Sequence, residues 1–320
     1  LFFLMSVTQL RSWMIDSIPL NLRIAMGAGV GLFIGFIGLK SGGIIVSNDA
    51  TFLKLGDLAN QETLVAAIGF LIISVLSVRK IPGAILIGVI LTTLISLGLG
   101  FTQYNGIISY PPSLAPVFLK LDILGALNIS MITVIMSFLF VNLFDTTGTL
   151  LGVANRANLV DADGNAKNLD KALKADSSVS FIGTFFGCSP VTSYVESSAG
   201  VEAGGRTGLT AIFIGLFFIL TTFLSPIALM VPAAATAGAL IYVSILMLSS
   251  MEKLNWSNMI DLLPALIIIV MIPLTFSIAD GIALGFLSYV VLKIGSGEIY
   301  KISSGAWFLT LIFISKFIFL

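Results

Sequence analysis

Apolar runs long enough to cross a lipid bilayer recur along the whole sequence. Spanning a hydrocarbon core about 30 Å thick takes about 20 mostly apolar residues in a helix. With 57% hydrophobic and 10% charged residues, the chain is too apolar for a soluble domain. The sequence therefore predicts an all-α polytopic protein of the cell membrane, with the lipid bilayer as its solvent. The predicted spans are 1–10 (incomplete), 22–39, 63–78, 83–101, 129–151, 178–200, 209–226, 229–249, 260–275 and 277–294, followed by a shorter apolar stretch at 306–320.

Composition excludes several classes of function. The 16 basic and 16 acidic residues balance, so a nucleic-acid partner is not predicted. The sequence has no histidine, which removes serine–histidine catalysis, histidine–zinc sites and histidine proton relays. The single Cys188 cannot form a multi-thiolate metal site. We therefore predict no enzyme activity, no catalytic residues, no metal and no cofactor.

Basic residues in the short loops predict the orientation of the chain in the membrane, because such residues are concentrated on the cytoplasmic side. They fall on one side if the chain crosses once per predicted span and if residues 178–208 cross out and return. The opposite side, at 40–62 and 102–128, holds few basic residues. The basic residues on the predicted cytoplasmic side include Arg11, Arg23, Arg79, Lys80, Arg156, Lys167, Lys171, Lys174, Arg206, Lys253, Lys293 and Lys301.

Residues 178–208 are too polar and too rich in glycine for one lipid-facing helix. Two crossings in so few residues imply short or broken elements. Non-helical backbone at membrane depth is tolerated only where protein or a water-filled cavity covers it, and broken helices are typical of transporter sites. The alternative is a re-entrant or extramembrane loop. Val, Thr and Tyr favour a strand, which predicts a short β-strand near 189–195.

Two carboxylates are the main candidates for chemistry. Asp145 ends the apolar run 131–144, and apolar residues continue after it at 150–153. A charged group at this depth is costly and marks a functional path by default, and such a carboxylate can load and release a proton. The alternative is a cap at the membrane edge. Glu196 is predicted where the short strand becomes a half-helix, as an acceptor for ligand N–H groups; alternatively it only complements the helix dipole.

Two further polar residues are weaker candidates. Asn142 lies about one helical turn before Asp145 and would either support it or pack the helix. Asp280 lies near the start of a span and would either support the site or cap a helix.

Several motifs resemble the AzgA-like adenine/guanine/hypoxanthine permeases of the nucleobase–ascorbate transporter superfamily, in the order of that family. The two longer motifs are NLFDTTGTLLGVANR at 142–156 and SYVESSAGVEAGGRTG at 193–208. The shorter motifs are GLFIGFIGLK at 31–40, Val231-Pro232 with Ala235-Thr236, and SIADGIALGF at 277–286.

The resemblance implies fourteen segments in two inverted repeats, a core domain, a gate domain and an elevator motion. It implies that this chain begins within segment four. Asp145 matches the segment-eight carboxylate and Glu196 the segment-ten glutamate, with strand backbone at Tyr194 and Val195 near the base. Thr149 stands where some relatives carry histidine, which leaves Asp145 as the expected proton carrier. The implied division is gate-type 1–101, core 102–208, mainly gate-type 209–275, core-type 276–294 and a cytoplasmic or interfacial tail at 295–320.

The resemblance implies a secondary active transporter that takes up purine nucleobases (adenine, guanine, hypoxanthine) together with protons. The partners expected are a purine nucleobase, a proton and a second copy in a homodimer. The same fold with xanthine, uracil or another small solute as cargo stays open. A channel and an intramembrane enzyme are rivals from other classes.

Overall fold

A computed structural model describes most of the chain. The described residues are 2–8, 17–104, 106–128, 131–132, 134–135, 138–139, 142, 146, 149–150, 153–154, 157–159, 168–194, 197–202 and 204–319.

Helices dominate the described residues. Short 3₁₀ turns lie at Thr222–Leu224, Ser249–Lys253 and Ile299–Lys301. The α-helices are α1 (Phe2–Val7), α2 (Leu20–Ser41), α3 (Gln61–Val78), α4 (Ala84–Gly98), α5 (Ile123–Ala126), α6 (Leu169–Phe185), α7 (Ser197–Glu202), α8 (Gly208–Thr221), α9 (Ser225–Met230), α10 (Ala233–Leu248), α11 (Met259–Thr275), α12 (Ile278–Gly295) and α13 (Ser304–Phe319).

Four helical stretches among the described residues are long and apolar enough to cross a membrane. They are Leu20–Ser41, Gln61–Val78, Gly208–Met230 and Ala233–Lys253. At about 1.5 Å per residue, the 22 residues of α2 reach about 33 Å, enough for the hydrocarbon core. Shorter apolar helices are Ala84–Gly98, Met259–Thr275 and Ser304–Ser315. The predicted spans between 22 and 101 and between 209 and 294 therefore fall on helices.

The structure contains a β-hairpin that apolar runs do not reveal. Strands β1 (Ile45–Asn48) and β2 (Phe52–Leu55) pair antiparallel, with Ile45 opposite Leu55. At the turn, Asn48 Oδ1 accepts hydrogen bonds from the backbone N–H groups of Ala50 and Thr51, at 2.9 and 3.0 Å. Four-residue strands are too short to show in a window chosen for membrane helices, so the hairpin lay inside a predicted loop.

The strand predicted at 189–195 is not found in its described residues. Residues 189–194 belong to neither a helix nor a strand. Strand preference depends on a neighbouring strand to pair and pack with. Here the backbone carbonyl of Val191 instead accepts a hydrogen bond from a side chain, that of Ser180 on α6.

Contacts divide the chain into two compact units, and one of them comprises Val30–Pro112 and Phe213–Ser250. Its core is built on close helix approaches at glycines. A Cβ added at Gly238 of α10 would lie 2.6 Å from the backbone nitrogen of Phe70 on α3. A Cβ at Gly35 of α2 would lie 2.3 Å from Ser244 Oγ on α10, and one at Gly69 would lie 2.8 Å from Thr92 Oγ1. Small residues let membrane helices pack backbone to backbone in this way.

The other unit comprises Leu1–Gly29, Ser113–Ile212 and Met251–Leu320. Its best-packed part is the pair α11 and α12, in which Ile268 and Ile272 are fully buried. A Cβ added at Gly281 of α12 would lie 2.6 Å from the backbone nitrogen of Ile272. Helix α13 packs against α12 through Phe313, whose ring centre lies 5.7 Å from that of Phe286. Residues 304–319, which the sequence analysis placed in a tail, therefore form a helix with a buried face.

A cluster of three charges joins the end of α12 to the chain before α13. Glu298 accepts hydrogen bonds from Lys293 and Lys301, both at 2.7 Å. Lys293 is buried in the last turn of α12, not in a loop as predicted, and its ammonium lies 5.8 Å from the centre of the Tyr289 ring. The hydrogen bonds from Lys293 and Lys301 lower the pKa of Glu298 to about 2.

The charge cluster makes a prediction about acid stability. Because the pKa of Glu298 is lowered from 4.5 to about 2, its stabilising contribution is complete above about pH 4.5 and disappears as pH falls through about 2. Glu298→Gln is expected to lower the unfolding temperature of the detergent-solubilised protein at pH 7, and this difference should shrink from pH 4.5 to pH 2. Glu252→Gln, an exposed residue of Ser249–Lys253, is the control. A difference that stays constant over this range would contradict the prediction.

Candidate functional site

Helix α6 ends in a tight reversal of the chain. Gly187 has a φ of +73°, a left-handed conformation that glycine adopts without strain. The backbone N–H of Cys188 donates to the carbonyl of Gly183 at 3.1 Å, and that of Gly187 donates to Thr184 at 3.0 Å. This pair of hydrogen bonds is the Schellman motif, which satisfies the last helical carbonyls. The chain therefore turns sharply into the segment 188–194, called here the return segment.

The return segment lies against α6. Ser180 Oγ donates a hydrogen bond to the carbonyl oxygen of Val191 at 2.7 Å, although the two residues are 11 positions apart. A Cβ added at Gly183 would lie 3.5 Å from Val191 Cγ2 and 3.7 Å from Cys188 Cβ, which is ordinary van der Waals contact. Ser180 and Gly183 are three residues apart and share a helix face. That face of α6 therefore supports the non-helical backbone.

Apolar residues from a preceding loop contact the turn between α6 and the return segment. A Cβ added at Gly187 would lie 2.6 Å from Val117 Cβ, and the ring centres of Phe118 and Phe186 are 5.5 Å apart. The backbone N–H of Leu119 donates to the carbonyl of Phe185 at 2.9 Å. These contacts attach the loop at 117–119 to the turn, although residues 186–191 remain exposed.

The return segment leads into the six-residue helix α7. Tyr194, predicted to offer backbone to a substrate, is 61% exposed, and its carbonyl accepts a hydrogen bond from the Ser197 N–H at 3.2 Å. The carbonyl oxygen of Tyr194 has a second lone pair, which can accept a further hydrogen bond. The predicted helix break is confirmed here. Val195 and Glu196 lie outside the described residues.

A second polar region lies among the described residues between 131 and 154. Every described residue in that stretch is helical. Asn142, Thr146 and Thr149 are all buried, and Thr146 Oγ1 donates to Asn142 Oδ1 at 3.4 Å. Their spacing of four and three residues puts them on one helix face. Asp145 lies outside the described residues.

Asp280 lies on a different element, in the first turn of α12. Ser277 is the N-cap of that helix, and its Oγ accepts a hydrogen bond from the backbone N–H of Asp280 at 3.1 Å. An acidic residue in a first turn also complements the helix dipole. Ser277, and not Asp280, is therefore the N-cap of this helix, and a role for Asp280 in the site stays a prediction.

Two residues of the candidate site were not found by sequence reasoning. Thr146 was not singled out because the sequence reasoning concentrated on the neighbouring carboxylate of Asp145. Its spacing of four residues from Asn142, which places both on one helix face, can nevertheless be read from the sequence. Ser180 is one of three serines, with Ser177 and Ser178, and both of these donate to the Lys174 carbonyl of their own helix. Which serine bonds across to the return segment depends on the reversal at Gly187, so the sequence alone does not single out Ser180.

The described residues offer two groups of polar atoms: the buried helix face at Asn142, Thr146 and Thr149, and the non-helical backbone of the largely exposed return segment. A few directed hydrogen-bonding groups of this kind can orient a small polar ligand.

Comparisons with known proteins agree with this membrane architecture. The sequence matches the Permease family over residues 1–311. It is 47% identical over 317 residues to the adenine permease AdeP of Escherichia coli K12, covering 99% of this chain and 71% of that protein. It is 41% identical over 304 residues to the guanine/hypoxanthine permease PbuO of Bacillus subtilis 168, covering 93% of this chain and 70% of that protein.

A solved structure shares the fold at low sequence identity. The transmembrane domain of the cyanobacterial bicarbonate transporter BicA has a TM-score of 0.64 and 16% identity, covering 89% of this chain and 72% of that one. This similarity supports the transporter-like fold alone. With the family match over 311 residues and several membrane-length helices, the chain belongs to the permease family, as a multi-pass protein of the cell membrane.

Proposed function

We propose that this protein takes up purine nucleobases across the cell membrane. The observation that carries the proposal is the identity of 47% and 41% to proteins named as an adenine permease and a guanine/hypoxanthine permease, over nearly the whole chain. A purine base is flat, mostly uncharged and carries both N–H donors and ring acceptors. The polar helix face at Asn142 and Thr146 and the non-helical return segment suit such a solute.

In this proposal the two carboxylates have different roles. Glu196 follows the return segment in sequence and accepts hydrogen bonds from N–H groups of the base. Asp145 is next in sequence to the buried Thr146, and it contacts the base, carries the coupling proton, or does both. The proton assignment rests on the sequence, because histidine is absent and a carboxylate is the remaining group suited to the task.

Transport would proceed by coupled binding and release. A proton on Asp145 lowers the cost of burying that carboxylate together with an uncharged base, because an ion in a low-dielectric site is expensive. Release of the base and the proton on the cytoplasmic side completes the cycle. A core domain carries the site past a gate domain within an inverted-repeat fold, as the resemblance to the AzgA-like permeases implies.

A competition experiment tests the substrate class. Proteoliposomes containing the full-length protein are expected to accumulate labelled hypoxanthine or adenine, with saturation, when an inward proton gradient is imposed. Unlabelled adenine, guanine and hypoxanthine should compete more strongly than xanthine or uracil. The physical reason is the need to satisfy a fixed set of buried donors and acceptors, since a mismatched partner leaves one of them unpaired.

The same assay separates the rival functions. Uptake that xanthine or uracil blocks better than adenine, guanine and hypoxanthine would assign the fold another cargo. Uptake without saturation and without dependence on the proton gradient would indicate a channel. Liposomes lacking protein, and a collapsed proton gradient, are the controls.

A further inference from the structure

The return segment has a structural requirement that regular elements do not have. Residues 189–194 are in neither a helix nor a strand, so the ladders that satisfy backbone groups elsewhere are missing for them. In a membrane, a backbone group without a hydrogen-bond partner is strongly unfavourable. Side-chain donors must therefore replace the ladder, and Ser180 is the described donor for the Val191 carbonyl.

The position of Ser180 suits this task. The residue is buried, and its hydroxyl lies 2.7 Å from the Val191 carbonyl oxygen. Val191 is five residues before Glu196 and three before Tyr194, so the bond fixes the segment close to the residues proposed to meet the base. The reversal at Gly187 fixes the other end of the same segment.

We infer that Ser180 is a positioning residue for the substrate site: its hydroxyl holds the return segment against α6 in the arrangement that binds the base. This inference rests on the proposed function for its substrate, but the geometry of the tether stands apart from it. When the tether is lost, the segment spends less time in the binding arrangement, and apparent affinity falls by the same fraction. The rate of the translocation step, once the base is bound, does not depend on the tether.

Three variants on one helix test the inference. Ser180→Ala removes the hydroxyl, Ser180→Thr keeps one, and Ser178→Ala removes a hydroxyl that bonds within its own helix, to Lys174. Loss of one hydrogen bond to a backbone carbonyl is expected to raise the KM for labelled hypoxanthine or adenine roughly fivefold in Ser180→Ala. The kcat per inserted molecule should be unchanged. Ser180→Thr should restore the KM, and Ser178→Ala should leave it at the wild-type value.

A second measurement does not depend on transport. Hydrogen exchange of peptides covering 186–194, in lipid nanodiscs, is expected to be several times faster in Ser180→Ala than in wild type and Ser178→Ala. The amides that report this are those of Phe186, Gly187 and Cys188, which are hydrogen-bonded in the turn and exchange when the untethered segment opens. If Ser180→Ala fails to reach the membrane, the pair Ser180→Thr and Ser180→Val, which differ little except in the hydroxyl, replaces it in both assays.

The outcomes separate this inference from the proposed function. A wild-type protein that takes up no purine would overturn the proposed function, while the exchange experiment would still test the tether. Purine uptake with an unchanged KM in Ser180→Ala, or equal exchange in the two alanine variants, would overturn the positioning role. A lower kcat at constant KM would also overturn it, since that pattern indicates a role in translocation.

Discussion

Asp145→Asn is expected to abolish accumulation of purine driven by a proton gradient. Asparagine has nearly the shape of aspartate and can still hydrogen-bond a base, but it cannot bind and release a proton. The initial uptake rate should fall about 10-fold, because a hydrogen bond to a charged group is replaced by a weaker one to a neutral amide. The accumulation and the initial rate are both measured as uptake of labelled hypoxanthine into proteoliposomes, with and without an inward proton gradient. Exchange of internal for external base should survive, because exchange needs no net proton movement.

Glu196→Gln serves as the internal comparison, since the two carboxylates are assigned different roles. This variant should raise the KM for the base by a similar factor while uptake still responds to the proton gradient. If Asp145→Asn accumulates base like the wild type, the proton assignment is wrong. If only Glu196→Gln loses its response to the gradient, the two roles are reversed.

Gly238→Leu is expected to prevent stable packing of α10 on α3. A Cβ at this position would lie 2.6 Å from the Phe70 nitrogen and 2.9 Å from the Gly69 carbonyl carbon, both backbone atoms that cannot rotate away. Overpacking in a core costs typically 1–3 kcal/mol, and a displaced helix costs more, so we expect a loss of at least about 3 kcal/mol. The unfolding temperature of the solubilised protein, followed by gel filtration after heating, should fall by many degrees.

Gly215→Leu is the matched control for this experiment. Gly215 lies inside α8, and a Cβ added there would meet no atom within 4 Å. The substitution also improves helix propensity, so folding should be unaffected or slightly improved. Equal unfolding temperatures for Gly238→Leu and wild type would show that α10 does not pack on α3 as described.

Sequence patterns located the membrane helices because bilayer thickness imposes a length on apolar runs. They were less informative outside the long apolar runs, where no such length is imposed. Helix α6 begins at Leu169 although its predicted span begins at 178, since its first turns carry Asp170, Lys171 and Lys174 and are helical without being apolar. The β-hairpin at 45–55 was missed for the same reason.

The candidate site divides in a similar way. The interruption after α6 could be predicted from glycine and polar residues. The role of Asn142 stays a prediction, and the structure adds that it is buried and accepts a hydrogen bond from Thr146. The bond from Ser180 to Val191 could not be predicted, because it joins positions that only the turn at Gly187 brings together. The strand predicted at 189–195 failed because strand preference was judged without a partner strand.

The two attachments of the return segment have a mechanical consequence. Gly187 and Cys188 bind it to the last turn of α6, and Ser180 binds it about one turn further back. A tilt or rotation of α6 therefore moves the return segment with it. A ligand or antibody that binds the charged first turns of α6 is thus expected to displace the residues that lead to Glu196.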